Sequence, residues 1–180
     1  MRERVQIRQK EKNMESITSF LLTVFSGQNL ALLGAALAAG FSGWGSARGV
    51  SLVAETASGL LSEDPSKFGK ALALEALPMT QGVYGLVAAF LVIWKIGLFG
   101  EPVALTAAQG GYFLMACLPF AIVGYHSAIR QARAAAAGIS LLAKRPDELG
   151  KAITNAALVE TYAIFALLIT MLLIFNAPIL

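Results

Sequence analysis

Apolar residues fall in four long runs separated by short polar stretches. Ser16 to Ala47, Ala76 to Trp94 and Pro102 to Ile129 carry no charge at all. Ala152 to Leu180 carries one, Glu160. A helix rises about 1.5 Å per residue, so roughly 20 apolar residues cross the bilayer core, and each run has that length or more. Alanine and leucine dominate and no period-2 alternation occurs, which argues against a barrel. The pattern predicts an all-α membrane protein with four transmembrane helices. The alanine-rich stretch from Ala132 to Leu142 predicts that the third helix runs on past the bilayer, and the first run has the same capacity.

Composition agrees. Of 180 residues, 57% are apolar and 14% charged, against about half and a quarter in soluble domains. Disorder, coiled coil and solvated enzyme are poor fits. One cysteine, Cys117, excludes an internal disulfide framework, and one histidine, His126, excludes a Cys/His metal cluster within one chain. The net charge of +3 lies in the first twelve residues, where Arg2, Arg4, Arg8, Lys10 and Lys12 accompany Glu3 and Glu11. The remainder is neutral, and nucleic-acid binding is not indicated.

Four spans put both termini on one side with the loop around Gly97 to Glu101. Beyond residue 13, eight basic residues (Arg48, Lys67, Lys70, Arg130, Arg133, Lys144, Arg145 and Lys151) fall near the other two loops, against Lys95 on the terminal side. This asymmetry places the two hairpin loops in the cytoplasm and both termini outside. Residues 1–13 run against it. Met14-Glu15-Ser16-Ile17 leads into the first apolar run, so 1–13 is read as an extension upstream of a start at Met14; N-terminal sequencing that finds Met1 removes this reading. A signal peptide fits less well, because the apolar run is too long for an h-region.

The chain repeats itself at an ungapped offset of 81. Ser46-Ala47 matches Ser127-Ala128, Leu60-Leu61 matches Leu141-Leu142, Pro65 matches Pro146, and Gly69-Lys70-Ala71 matches Gly150-Lys151-Ala152. Ala76-Leu77 matches Ala157-Leu158, and Thr80 matches Thr161. Two helical hairpins, 14–98 and 102–180, are thus parallel repeats about an axis along the membrane normal. Glu160 stands opposite Met79, and Tyr162 opposite Gln81, so one acid serves two hairpins. Gly34, Gly40, Gly43, Gly45 and Gly49 on the first helix, and Ala132, Ala134 to Ala137 and Gly138 on the third, permit close helix packing. That packing belongs either inside one four-helix unit or to an inner ring of many copies.

Glu160 lies about nine residues after Lys151, roughly 13 Å along its helix and near mid-membrane. A carboxylate there costs at least about 2.5 kcal/mol and marks function. Gln81, Gln131 and Thr80 lie in or near apolar helix, and Pro78 lacks the N–H that the Leu74 carbonyl needs. Singly, each polar side chain suits an interhelical hydrogen bond. Together they supply one carboxylate, two amide oxygens, a hydroxyl and a backbone carbonyl, the oxygen set a hard cation takes. One carboxylate neutralises a monovalent ion, so Na⁺ fits better than Ca²⁺. A proton is the alternative, since a buried carboxyl can carry one. Tyr84, one turn past Thr80, is placed to hydrogen-bond Glu160 or to pack. Glu55 and Glu75 lie near cytoplasmic helix ends, within reach of solvent or Lys70. Cys117 is read as filler and His126 as interfacial or packing.

The duplicated hairpin, Leu77-Pro78-Met79-Thr80-Gln81-Gly82, the run from Ala135 to Gly138, and Val159-Glu160-Thr161-Tyr162-Ala163 resemble the proteolipid (K) subunits of rotary V-type ATPases. The resemblance covers nearly all of the chain after Met14 and is closest to the sodium-pumping bacterial type. It implies a Na⁺ site formed by Glu160, Thr80, Gln81, Gln131 and the Leu77 carbonyl, with Tyr84 supporting the glutamate. It also implies a ring of identical subunits turning against a stator arginine, joined through central-stalk subunits to a soluble ATPase head. The chain itself is then not catalytic; it has no Walker lysine pattern. A proton-carrying member of the same family would keep Glu160 without needing the two glutamines and Thr80. A small cation or drug exporter is the alternative from another class, and a purely structural bundle leaves Glu160 unexplained.

Overall fold

The computed structural model describes residues 2–178. Helix α1 (Arg2–Val24) is followed by α2 (Gly27–Glu63), α3 (Phe68–Glu75), α4 (Thr80–Lys95), α5 (Ala107–Lys144) and α6 (Leu149–Phe175). Single 3-10 turns lie at Pro65–Lys67, Leu77–Met79 and Pro146–Glu148. Among the described residues, four helical stretches are long and apolar enough to span: α2, Pro65–Lys95, α5 and Pro146–Phe175. The two long helices, at 37 and 38 residues, run well past the thickness of a hydrocarbon core, as expected for the third helix from its alanine-rich end and for the first run.

The first apolar run behaves differently from its sequence reading. It is cut at Phe25–Ser26, so Ser16–Val24 belongs to α1 and the span begins at Gly27. Ser26 is extended (ψ 154°), and its hydroxyl accepts the Asn29 N–H at 3.4 Å. A serine N-cap starts a helix and stops the one before it from continuing. Helix α1 itself passes through Met14 without a break.

The two hairpins repeat in backbone as well as sequence. Asp64 ends α2 at φ −140°, ψ 87°, and Arg145 ends α5 at φ −138°, ψ 81°. Each precedes a proline, which disfavours helical backbone in the residue before it. The turns are then tied across the repeat: Lys67 donates to the Ala143 carbonyl at 3.4 Å and Lys70 to the Pro146 carbonyl at 2.9 Å. Lys70 therefore serves the second turn and makes no ion pair with Glu75.

Helices α2 and α5 pack on each other along most of their length; α4 flanks α2, and α6 flanks α5. The α2 face of Ala31, Gly34, Ala35, Ala38, Ser42, Gly45, Gly49 and Val53 is buried at helical spacing. A Cβ on Gly45 would stand 2.7 Å from the Tyr125 Cα and carbonyl oxygen, and one on Gly34 2.8 Å from the Leu114 Cα. A Cβ on Gly49 would stand 2.9 Å from the Pro78 Cβ. Gly34, Gly45 and Gly49 are thus consumed by packing within one chain, whereas Gly40 and Gly43 meet nothing within 4 Å. Cys117 is fully buried as filler among Phe113, Ala116 and Val92. His126 is exposed, edge-on to Tyr125 at 5.2 Å.

The first hairpin turn carries a pH-sensitive cap. Asp64 accepts the Ser66 N–H at 3.1 Å and hydroxyl at 2.6 Å and pairs with Lys67 at 3.3 Å. The Ser66 hydroxyl above all holds the Asp64 carboxyl below its ordinary 3.8. A depressed carboxyl helps hold the turn above the ordinary value, and the help is lost as pH falls through the depressed one. The protection of the Ser66 amide against hydrogen exchange, taken relative to its intrinsic rate at each pH, should fall across that acid window. The second turn, with Arg145 in the equivalent position, should lack the step.

Candidate ion-binding site

The helix break at Leu77–Met79 builds the first wall. Pro78 has no N–H for the Leu74 carbonyl, and the chain tightens into one 3-10 turn before α4 starts at Thr80. The Thr80 hydroxyl donates to the Leu77 carbonyl at 3.1 Å and lies 3.4 Å from the Gln81 amide oxygen. Three oxygens from one short stretch of chain are thereby gathered at one helix start.

Gln81 and Gln131 are fully buried between α4 and α5. The Gln81 amide nitrogen donates to the Gln131 amide oxygen at 2.6 Å, and the Gln131 nitrogen donates to Glu160 Oε2 at 3.2 Å. The Tyr84 hydroxyl donates to Glu160 Oε1 at 2.8 Å. Glu160 itself, on α6, is half-buried. Each amide is thus oriented by what its nitrogen donates to. A buried amide must satisfy both ends, so fixing the nitrogens fixes where the oxygens point.

Every residue expected from the sequence falls in this one cluster: Glu160, Gln131, Gln81, Thr80, the Leu77 carbonyl and Tyr84. The segments that contribute lie far apart in the chain, Tyr84 and Glu160 by 76 positions. Both roles open to Tyr84 are filled: its hydroxyl donates to Glu160, and its ring packs against the cluster of Phe120, Ala163 and Ala166. Two residues were missed. Ser127 receives a 3.4 Å contact from the Gln81 nitrogen and donates to the Val159 carbonyl at 3.2 Å. Ser46 accepts the Gly82 N–H at 2.8 Å and reaches the Met79 carbonyl at 3.5 Å. They are repeat equivalents, each bonded to the broken or charged helix beside it. Their identity across the two copies was the available signal.

The chemistry of the cluster is narrow. It holds one acid, and among the described residues no group of three His, Cys, Asp or Glu could hold a metal ion. One negative charge among neutral oxygens suits a monovalent cation and leaves a divalent one unbalanced.

These features define a class: a duplicated helical-hairpin membrane protein with one carboxylate, polar-lined and half-buried, per pair of hairpins. Residues 33–92 and 114–173 each match the family of the ATP synthase C subunit, and the two matches are displaced by the same offset as the repeat. The chain belongs to that family and is a multi-pass membrane protein. It is similar to V-type sodium ATPase subunit K of Enterococcus hirae, 46% identical over 158 residues that cover 88% of this chain and 98% of the relative. It is also similar to A-type ATP synthase subunit K of Methanocaldococcus jannaschii, 39% identical over 145 residues covering 81% of this chain and 61% of the relative.

Proposed function

We propose that this chain is a rotor-ring subunit that binds Na⁺ at Glu160 and carries it across the bilayer as the ring turns. The observation that carries the reading is the hydrogen-bonded chain from Gln81 through Gln131 to Glu160, which joins three helices at one carboxylate. The ligands are the Glu160 carboxylate, the Gln81 and Gln131 amide oxygens, the Thr80 hydroxyl and the Leu77 carbonyl. Tyr84 holds the carboxylate in place. The similarity to a sodium ATPase subunit supports Na⁺ as the cargo.

The physics of transport follows from solvation. A bare carboxylate facing lipid is costly, so Glu160 crosses the lipid-exposed part of its circuit neutralised by its cargo. Beside a stator arginine and a water-filled channel, the carboxylate has a competing partner and releases the ion. The partners are therefore identical copies in the ring, a stator subunit bearing that arginine, and central-stalk subunits that deliver torque from a soluble ATPase head. The chain performs no ATP chemistry itself. The charge asymmetry of the loops supports hairpin turns in the cytoplasm and termini outside.

Carbodiimides attack a protonated carboxyl, so labelling of Glu160 in the purified protein tests the cargo directly. Protection by millimolar Na⁺ at fixed pH is the expected result. Labelling that follows pH and ignores Na⁺ overturns it in favour of a proton ring, and Gln81 and Gln131 then revert to packing residues.

A further inference from the structure

Helix α1 is the part of the molecule that the ion-carrying machinery does not use. The family match begins only at residue 33, and α1 barely touches the bundle. Yet its residues are patterned. Met14, Ile17, Leu21 and Val24 recur at spacings of 3, 4 and 3, with Phe20 beside them, which places them on one helical face. All five are exposed, Met14, Ile17 and Phe20 at 60% or more. Arg4, Arg8, Lys10 and Lys12 occupy the half farther from the bundle and are exposed too.

We propose that α1 lies in the membrane–water interface as an amphipathic helix, its Met14–Val24 stripe in the acyl boundary and its basic half on anionic lipid headgroups. Four observations select a lipid surface as the occupant. First, the charge-free part of α2, residues 27–47 before Arg48, is about the length one crossing of the core takes, so Val24 lies near the bilayer edge whatever direction α1 takes. Second, the join is a built corner. Ser26 is extended, and the Asn29 side chain donates to the Thr23 carbonyl at 2.8 Å, capping the end of α1. Third, α1 cannot cross the bilayer: Ser16–Val24, its charge-free part, reaches only about 13 Å against a core of about 30 Å. Fourth, Glu15, Ser19 and Thr23 fall on the helix face away from the stripe, which leaves a polar side for water.

A helix with an apolar stripe and basic residues is held at an interface by two additive terms, burial of the stripe and attraction to anionic lipid. The same placement accounts for basic residues on the side of the membrane that the loop charges leave poor. They act on headgroups there and do not set the orientation of the spans.

The full chain, reconstituted in phosphatidylcholine vesicles with and without phosphatidylglycerol, carries the test. Nitroxide labels go on Ile17→Cys, Leu21→Cys, Lys12→Cys and Ser19→Cys, each in a Cys117→Ala background. Relaxation by oxygen, which partitions into lipid, is compared with relaxation by a water-soluble nickel complex. Labels at 17 and 21 should favour oxygen several-fold over labels at 12 and 19. Phosphatidylglycerol should lower nickel access at 12, and high salt should restore it. Equal nickel access at all four positions means α1 stands in water and overturns the proposal. Exclusion of both reagents at 17 and 21 overturns it in favour of a protein partner, including a second copy of this chain. Indifference to phosphatidylglycerol overturns the headgroup contact. A mature chain whose intact mass begins at Met14 overturns it as well, because the basic half is then absent.

Discussion

Glu160→Gln should abolish saturable Na⁺ binding while leaving the helical bundle folded. Glutamine keeps the shape, and its carbonyl can still accept the Tyr84 hydroxyl that now lies 2.8 Å from Oε1. What it removes is the charge proposed to balance the cargo. Deleting one partner of a buried charge pair costs about 3–5 kcal/mol, and tenfold in affinity is about 1.4 kcal/mol. The expected loss is therefore about two to four decades in binding, read as ²²Na⁺ retained by the purified protein. Glu160→Asp separates charge from reach. It keeps the carboxylate but withdraws it by one methylene from Tyr84 and Gln131, and it should bind with intermediate affinity. Saturable binding in Glu160→Gln at the affinity of the unaltered protein would remove Glu160 from the mechanism.

The second large effect is on stability. Gly45→Ala places a methyl 2.7 Å from the Tyr125 Cα and carbonyl oxygen. Both obstacles are backbone, so no rotamer change relieves the contact, and α2 must move off α5. Overpacking of this kind costs about 1–3 kcal/mol. In lipid the loss is felt directly, because close van der Waals packing is what holds such helices together. Gly59→Ala, on the same helix with nothing within 4 Å, should be neutral or slightly stabilising, since alanine is about 1 kcal/mol the better helix former. Thermal unfolding of the detergent-solubilised protein distinguishes the two. Equal midpoints would mean that α2 and α5 do not approach as closely as the Gly45 contact requires.

Much of the candidate site was legible in the sequence because membranes punish polarity. One acid in the long apolar run from Ala152 to Leu180 draws attention to itself, and Gln81, Gln131 and Thr80 do so for the same reason. The repeat was legible because duplication leaves identities at a fixed spacing, and the two family matches carry the same displacement. Less legible was the start of the first span. Within the charge-free run from Ser16 to Ala47 only the short polar stretch Ser26-Gly27-Gln28-Asn29 marks the boundary, and a reading by charge alone passes over it. It is the Ser26 cap, a local hydrogen-bond choice, that divides the run.

Sequence alone thus determined the number of spans, their pairing as two parallel hairpins, and which side chains are too polar to sit in lipid without a task. These follow from one-dimensional quantities: the length of apolar runs, the period of the repeat and the rarity of charge. Tertiary structure alone decided which of the polar groups touch. Tyr84 and Glu160 lie 76 positions apart, and Gln81 and Gln131 lie 50 apart. The direction of each amide is set by a partner on another helix. Only the packed structure separates Gly34, Gly45 and Gly49, which admit the backbone of α5 or the ring of Pro78, from Gly40 and Gly43, which face outward. The physical reason is common to both cases. Hydropathy is a sum over a segment and is carried by the chain itself, whereas hydrogen-bond direction and close approach are relations between segments and exist only once the helices are packed.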